Sequence, residues 1–541
     1  MVLPDEVDVV VVGSGAAGLS AALAAVVTGA EVLILEASER WGGTTAISGA
    51  QLWIPNHHRI AEAGLTDSFE DALSYRTRHS VGRDVESIET FLGSAPRVVR
   101  LLEEHSPLRF QTAARIPDSL PEAEGGKVGR HLEPEPIEVG DLGDVDELLW
   151  PAAFPMVFTN DEVARLDLIG GGLQPEELFE QRTAAGVVCM GQALVIGLLH
   201  GCRSARVRLE REHRVERLLR DDSGVAGVEA THTGSTVTVT ARRGVVLACG
   251  GFESDPETVL RLQGEPATVP VSPPVNRGDA LRLAGQMGAQ IAHTAEGWFL
   301  PVLKIPGETW PDGTPRPRLV YAERGRPHLI WVNQHGHRFV NEASHNCALS
   351  LAEIDPHRMR LRNHPVWAVG DAQYRARSSI GDLEPGEPSP HWLVEADTLP
   401  ELAARCGIDP VALTETVERF NQMVNQGADA DFGRGTGAYD RGIGDPTALH
   451  PNLGRIEQPR FFATQIHRGT VGSRGGPLTD GRARVLGWDG APIPGLYAAG
   501  NAAACVLGPG TVAPGLTLAL ALTWGWIAGN DAATMNSAGE S

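Results

Sequence analysis

The sequence predicts an α/β protein in which a nucleotide-binding domain carries an inserted α+β domain. Residues 8–18 read DVVVVGSGAAG, a β-branched run followed by the spacing G-x-G-x-x-G. A second apolar run, residues 31–36, ends in the acidic residue Glu36. A strand, a glycine-rich turn, a helix and a second strand that ends in an acidic side chain are typical of a Rossmann-like βαβ unit with a parallel sheet.

The first glycine-rich loop is predicted to bind a pyrophosphate. Gly13 lets the chain turn sharply after the strand, Gly15 lets the backbone approach the phosphates, and Gly18 lets the following helix pack on the strand. The N–H groups at the start of that helix face the phosphates, and Glu36 is placed to accept hydrogen bonds from a ribose. The predicted contacts in this unit are Gly13, Ser14, Gly15, Ala16, Ala17, Gly18 and Glu36.

A second glycine-rich stretch, ASERWGGTTAISG at residues 37–49, directly follows the ribose-binding strand. A nicotinamide cofactor has no obvious need of it. A longer cofactor that is held extended across the domain does, because each additional phosphate or ribityl oxygen requires an N–H or hydroxyl partner. The sequence therefore predicts FAD. The predicted contacts in this stretch are Ala37, Ser38, Gly42, Gly43, Thr44, Thr45, Ser48 and Gly49.

Composition and charge exclude several classes of partner. The 541-residue chain has a formal net charge of −22, which disfavours nucleic acids and anionic membrane surfaces. The six cysteines show no C-x-x-C pair and no zinc-like spacing, so we expect reduced thiols and no metal site. The longest apolar stretch, residues 516–528, is too short to span a membrane, and no signal-peptide pattern precedes the first strand. We expect a cytoplasmic protein without a membrane span.

Changes in composition divide the chain into two domains. The run GVVLACGGF at residues 244–252 is predicted to be a buried strand that ends on Gly250 and Gly251, where the nucleotide-binding domain resumes. The region that follows is rich in tryptophan and proline. A late strand then runs into Gly500 and Asn501, which are predicted to complete the cofactor site. We predict a first FAD-binding segment at 1–288, an inserted catalytic domain at 289–440 and a second FAD-binding segment at 441–541.

Four segments resemble the flavoprotein family that includes the 3-ketosteroid dehydrogenases and the soluble fumarate reductases. They are the Gly13 loop with the glycines that follow Glu36, GHRFVNE at 336–342, SRGG at 473–476, and GLYAAGN at 495–501 with the helix after it. The resemblance implies FAD, hydride exchange between flavin N5 and a carbon β to a carbonyl or carboxylate, and proton exchange at the α carbon. It also implies flavin contacts from Arg474, Gly515, Leu516 and Thr517.

The ketosteroid branch of the family uses three pocket tyrosines, and this chain matches none of them. Its late Y-x-G-P-G segment corresponds to TVAPG, so Thr511 replaces a tyrosine while Gly515 remains as a donor to the ketone oxygen, or as a packing residue. The base tyrosine corresponds to Asn346, which cannot act as a base. The adjacent His345 is the predicted substitute, or else a hydrogen-bonded loop residue. The third tyrosine corresponds to Ser119.

Fumarate reductases carry arginines at the position of Asn346 and near Val512, so their absence here predicts a neutral substrate. Three further side chains are candidates. His467 would donate to a carbonyl, and Arg474 would offset negative charge on the reduced flavin, unless they form surface ion pairs. Tyr321 is a weaker candidate, because an aromatic residue there is commonly part of the core.

The first hypothesis is an FAD-dependent dehydrogenase that desaturates a neutral, cyclic ketone at the α,β position, with a cyclohexanone-like, terpenoid or steroid substrate. Gly515 and His467 would polarise the oxygen, and His345 would take the α proton. An ene-reductase that saturates an activated alkene and a flavin-binding protein without turnover stay open as alternatives. The chain shows no second nucleotide motif, so the electron acceptor would be oxygen, a quinone or a small carrier rather than NAD(P)H.

Overall fold

The computed structural model describes residues 3–79, 84–168, 175–264, 268–508 and 510–535. Its helices are α1 (Ala16–Val27), α2 (Gly43–Ala46), α3 (Phe69–Arg78), α4 (Val85–His105), α5 (Val145–Leu148), α6 (Asn160–Leu166), α7 (Glu176–Ala184), α8 (Met190–Ser204), α9 (Pro256–Gln263), α10 (Asp279–Gln286), α11 (Ala372–Arg375), α12 (Leu399–Cys406), α13 (Pro410–Gln426), α14 (Ala438–Gly442) and α15 (Leu516–Thr534). Its strands are β1 (Glu6–Val12), β2 (Val32–Leu35), β3 (Leu52–Trp53), β4 (Phe110–Thr112), β5 (His131–Pro134), β6 (Ile137–Glu138), β7 (Val187–Val188), β8 (Arg208–Glu210), β9 (Arg214–Asp221), β10 (Gly224–His232), β11 (Ser235–Leu247), β12 (Val269–Pro270), β13 (Ile291–Ala292), β14 (Gly297–Leu303), β15 (Arg318–Leu319), β16 (Leu329–Val332), β17 (Ile354–Asp355), β18 (Arg360–Leu361), β19 (Val366–Gly370), β20 (Val394–Ala396), β21 (Phe461–Ser473), β22 (Gly476–Pro477), β23 (Arg484–Leu486) and β24 (Pro492–Ala498).

The larger sheet contains the predicted βαβ unit. Its parallel strands follow the order β24-β11-β1-β2-β8, and β10 and β9 continue from β11 as antiparallel strands. Val9 and Val11 of β1 pack with α1, α8 and α15, whereas Val10 and Val12 pack with α10 and the β9–β10 hairpin. Successive side chains of a strand point to opposite faces, so β1 is buried on both. The predicted fold class is confirmed.

Close backbone contacts fix the glycine-rich loop relative to two helices. A Cβ on Gly18 would lie 2.0 Å from the Gly13 carbonyl oxygen, and a Cβ on Gly525 of α15 would lie 2.3 Å from the Ala17 carbonyl oxygen. No other residue type fits these two positions without a backbone shift. The β1–α1 loop, α1 and α15 therefore form one packed unit, which places the start of α15 near the loop.

The second sheet follows the order β15-β14-β21-β19-β16, with β12 and β20 also paired to β21. Ile330, Val332 and Val369 of this sheet pack against α12 and α13. Its strand β21 lies after residue 440 and its strand β12 lies before residue 289, so the sheet draws on residues from both sides of the predicted insertion. The segment boundaries stay a prediction.

Within the described ranges, we find no helix with the length and apolarity that crossing a membrane requires. The same residues contain no group of three or more His, Cys, Asp or Glu side chains that could hold a metal ion.

Candidate active site

A cavity of about 730 Å³ is lined by elements of both sheets. The larger sheet contributes the β1–α1 loop, the end of β2 and the turn after β11, and the second sheet contributes β14 and β15. Apolar side chains form much of the wall, among them Phe154, Met156, Phe158 and Phe299. Such a wall shields a bound ligand from water.

Most of the cofactor contacts that the sequence predicts lie on this wall. They are Gly13, Ser14, Gly15, Ala16, Ala17, Glu36, Ala37, Gly43, Thr44, Thr45, Ser48, Gly49, Gly250, Gly500, Asn501, Gly515, Leu516 and Thr517. Gly18, Ser38, Gly42, Gly251 and Arg474 lie behind the wall instead. Two of these glycines permit close packing, because a Cβ on Gly42 would lie 2.8 Å from Val195 and a Cβ on Gly251 would lie 1.9 Å from Ser473 Oγ.

The buried carboxylate of Glu36 accepts three hydrogen bonds. Its Oε2 accepts from the Ser14 N–H at 3.0 Å and the Ser14 hydroxyl at 2.6 Å, and its Oε1 accepts from the Ser38 N–H at 2.9 Å. Burial raises the pKa of Glu36, and the hydrogen bonds oppose that rise. The carboxylate is therefore held on the cavity wall at the end of β2, where a ribose contact requires it.

The β1–α1 loop has room for a phosphate. Apart from its chain neighbours, a Cβ on Gly15 would meet no atom closer than Thr45 Oγ1 at 3.6 Å, so this side of the backbone is open. Gly15 is also the N-cap of α1, and a helix N-terminus favours an anion. An open backbone, a helix N-terminus and a fixed carboxylate fit the pyrophosphate and ribose of FAD.

Residues 511–515 form another part of the wall and are held by side chains and backbone from distant segments. The side-chain amide of Asn346 donates to the Thr511 carbonyl at 2.9 Å. The Ser119 N–H donates to the Val512 carbonyl at 2.8 Å. The structure thus brings together Ser119, Asn346 and Thr511, the three positions that the resemblance matches with tyrosines of the ketosteroid branch.

Gly515 ends this segment and is the N-cap of α15, with a φ of 74°. A Cβ there would lie 2.3 Å from the Gln51 carbonyl oxygen, so both its conformation and its surroundings favour glycine. Its carbonyl accepts from the Trp53 N–H at 3.4 Å. Its N–H precedes the first turn of α15 and has no intrahelical acceptor.

His345 lies on the wall beside this segment. Its Nδ1 is 2.6 Å from the Ser119 hydroxyl oxygen, and its ring centroid is 5.2 Å from that of Tyr439. Burial, with a smaller effect of the charge on Arg324, lowers the pKa of His345 to about 3. The imidazole is therefore neutral at pH 7 and has little tendency to gain a proton. Its role as base stays a prediction, and this pKa does not favour it.

Tyr321 also lines the cavity, and two residues that sequence reasoning missed lie behind it. Tyr439 is buried and packs against Tyr321 and His345. Arg324 is fully buried, and its Nη2 donates to the Tyr439 hydroxyl at 3.3 Å. Arg324 directly follows the Tyr321 region in the sequence, but no sequence signal indicates that Tyr439 meets it.

Comparison with known proteins also indicates an FAD-binding protein. The FAD binding domain family matches residues 8–518, nearly the whole chain. The chain belongs to this family.

Three known proteins are similar to this chain over nearly its whole length. The chain is 39% identical to 4-oxocyclohexanecarboxylate 2-dehydrogenase of Sinomonas cyclohexanicum, over 96% of this chain and 92% of the relative. It is 34% identical to 3-oxosteroid 1-dehydrogenase of Mycobacterium tuberculosis (strain ATCC 25618 / H37Rv), over 97% of both chains. The crystal structure of 3-ketosteroid delta1-dehydrogenase from Sterolibacterium denitrificans in complex with 1,4-androstadiene-3,17-dione superposes with a TM-score of 0.91 at 31% identity, over 98% of this chain and 100% of that one.

These similarities confirm the predicted family, fold class and cofactor. The protein is an FAD-dependent dehydrogenase that acts on CH–CH groups.

Two predicted residues of this FAD enzyme do not lie on the cavity wall. His467 is on β21 opposite Val302 of β14, and burial lowers its pKa to about 4. The guanidinium of Arg474 donates to the carbonyls of Gly508 and Gly510 and lies 3.9 Å from the ring of Trp298, which itself lines the cavity. Their roles in polarising a substrate and in offsetting flavin charge stay predictions.

Proposed function

We propose that this protein desaturates a cyclic ketone between the carbons α and β to its carbonyl. The observation that carries the proposal is the position of Gly515. It lies at the N-terminus of α15, on the wall of the same cavity that the predicted FAD contacts line. The names of two relatives support a ring ketone, because one acts on 4-oxocyclohexanecarboxylate and the other on 3-oxosteroids.

The chain's own contribution to this reaction is to stabilise charge. Removal of an α hydrogen as a proton leaves negative charge on the ketone oxygen. The Gly515 N–H donates to no other residue in the described part of the chain, so it can donate to that oxygen, and the positive end of the α15 dipole adds to the stabilisation. Apolar wall residues such as Phe299 and Met156 exclude water and strengthen both effects. When bound, FAD supplies the acceptor for the hydride that leaves the β carbon.

An oxocyclohexane is the ketone we favour. The relative that acts on such a ring is 39% identical, and the three tyrosines of the ketosteroid pocket are Ser119, Asn346 and Thr511 here. The absence of arginine at positions 346 and 512 predicts a neutral substrate, and a carboxylate on the ring would depart from that prediction.

A charged group elsewhere on the ring has a possible partner in Arg316, which lines the cavity. Its Nη2 donates to the Pro151 carbonyl at 2.8 Å, and its Cζ lies 4.3 Å from the ring of Trp310. Neighbouring Arg318 is paired with Glu308 at 2.6 Å, whereas Arg316 has no carboxylate within 4.0 Å among the residues described. A guanidinium that is positioned in this way can bind a ring carboxylate.

An anaerobic titration tests the proposal. FAD-loaded protein receives 4-oxocyclohexanecarboxylate, cyclohexanone, a saturated 3-ketosteroid or succinate while the visible flavin absorbance is followed. Bleaching by a ring ketone, with the enone detected as product, is the expected result. Bleaching by succinate alone would overturn it. If only dithionite bleaches the flavin and an enone restores its colour, the protein works as an ene-reductase. Oxygen or a quinone added afterwards identifies the electron acceptor.

A further inference from the structure

The group that removes the α proton is not evident from the family pattern. Asn346 and Ser119 stand where the ketosteroid branch carries tyrosines, and their side chains hold residues 511–515 and His345. Asparagine and serine are not bases at neutral pH, and burial makes His345 a poor one. The inference that follows rests on the proposed desaturation and concerns the side chain that takes this proton.

Tyr321 is the tyrosine that lines the cavity. Its backbone N–H donates to Glu323 Oε2 at 2.8 Å, and its carbonyl accepts from Arg324, so the main chain at this position is fixed. Its ring packs against Tyr439, and the Cζ of Arg324 lies 5.5 Å from its ring centroid.

Tyr439 is suited to donate a hydrogen bond rather than to ionise. It is fully buried, and burial raises its pKa well above the usual value. Arg324 Nη2 donates to its oxygen at 3.3 Å, which polarises the O–H of Tyr439. The three side chains thus form a row that runs from Arg324 through Tyr439 to Tyr321 on the cavity wall.

Arg324 gives this row a net positive charge. Its side chain is 0% exposed, and it donates to the carbonyls of Tyr321 and Ser344 and to the hydroxyl of Tyr439. Cys347 and Glu323 also interact with its charge. No carboxylate lies within 4.0 Å of it in the described part of the chain, in contrast to buried Arg130, which pairs with Asp67 and Asp118. A buried cation that no carboxylate contacts directly favours an anion beside it.

We propose that Tyr321, as tyrosinate, is the base that removes the α proton, and that Tyr439 and Arg324 are positioning residues that stabilise its anion. The α C–H bond breaks, its proton bonds to the Tyr321 oxygen, and its electron pair moves to the ketone oxygen, which the Gly515 N–H holds. The electron pair then returns from the oxygen to form the Cα=Cβ bond while the β hydrogen departs as hydride, for which bound FAD would supply the acceptor. Tyr321 then releases the proton to water at the cavity mouth.

Exchange of the α hydrogens with solvent deuterium tests the base directly. Tyr321→Phe should slow the exchange about 10²-fold or more while FAD content and ketone binding stay as in the wild type. Tyr497→Phe is the matched control, because Tyr497 is buried and its hydroxyl contacts Asp531 instead. Exchange at the wild-type rate in Tyr321→Phe would overturn the proposal.

The pH profile tests the two positioning residues. Removing the charge in Arg324→Met should move the ascending limb of the pH–rate profile for exchange to higher pH by about one unit or more, because an opposite charge at this range favours the anion. Arg324→Lys keeps the charge, so its limb should lie close to the wild-type position. This variant also controls for disruption of the core. The other titratable groups around Tyr321 are Tyr439, Glu323 and His345. An unmoved limb in Arg324→Met would contradict the role of Arg324.

The exchange assay also separates this proposal from the proposed function, because exchange of the α hydrogens needs no hydride transfer. If no ketone reduces the FAD of the wild type, the proposed function fails, and the comparison of Tyr321→Phe with Tyr497→Phe still decides whether Tyr321 removes the α proton.

Discussion

Replacing Glu36 with glutamine should weaken FAD binding about 10- to 150-fold. An ionised carboxylate has about four acceptor positions. Ser14 and Ser38 occupy three of them and the Ala37 N–H also interacts with the carboxylate, so a ribose hydroxyl would use the acceptor capacity that remains. A hydrogen bond to a charged group contributes about 1.5–3 kcal/mol, and about 1.4 kcal/mol is tenfold in Kd. The glutamine amide also cannot accept from all three donors, so the loop that approaches the phosphates should loosen.

The assay is a titration of apoprotein with FAD, followed by quenching of flavin fluorescence. Glu210→Gln is the matched control, because Glu210 lies opposite Leu35 on the adjacent strand β8 and its side chain is not part of the cavity wall. Thermal unfolding of both apoproteins shows whether the substitution disturbs the fold. An unchanged Kd in folded Glu36→Gln protein would refute the ribose assignment.

Three further outcomes are expected. Gly515→Ala should lower kcat for the ketone, because a Cβ would lie 2.3 Å from the Gln51 carbonyl oxygen and displace the start of α15; an unchanged kcat would exclude Gly515 as the oxygen's donor. Arg316→Gln should raise KM about tenfold for a carboxylate-bearing ketone and not for cyclohexanone, and equal changes for both would contradict the carboxylate contact. Acid should destabilise the fold between pH 6.5 and about 3, because burial lowers the pKa values of His131 and His345 to about 3 and only the unfolded chain gains these protons. The free energy of unfolding in urea should be lower at pH 5 than at pH 7 by about 2 kcal/mol per histidine. Replacing either histidine with glutamine should abolish the contribution of that site.

The residues predicted to bind FAD could be grouped from the sequence because their determinants are local. Gly13, Gly15 and Gly18 belong to one turn, and Glu36 ends the next strand of the same βαβ unit, so sequence spacing alone fixes their relative positions. The prediction was less precise where a glycine serves packing. A missing Cβ makes room for a phosphate or for a protein atom, and at Gly42 the neighbour is Val195, which lies far away in the sequence.

The same limit applies to His467 and Arg474. A histidine next to a glycine-rich segment is a candidate for a site residue. Which face of the sheet its side chain lies on, however, depends on the pairing of β21 with β14 and β19. That pairing joins strands more than 90 residues apart, and a strand's two faces alternate at every residue. The sequence around His467 therefore could not decide whether it meets the cavity.

The substrate half of the site draws on five segments, near residues 119, 321, 345, 439 and 511, that only the tertiary fold brings together. Where the resemblance places tyrosines, this chain carries a serine, an asparagine and a threonine. The asparagine donates to the segment that starts at Thr511, and the serine bonds to that segment and to His345. Those bonds hold the wall in place but supply no base of suitable strength. A desaturase must still remove a proton, so the loss of tyrosines from three positions requires an acid–base group elsewhere on the same wall. Tyr321, with a buried cation behind it, is the side chain there that meets this requirement.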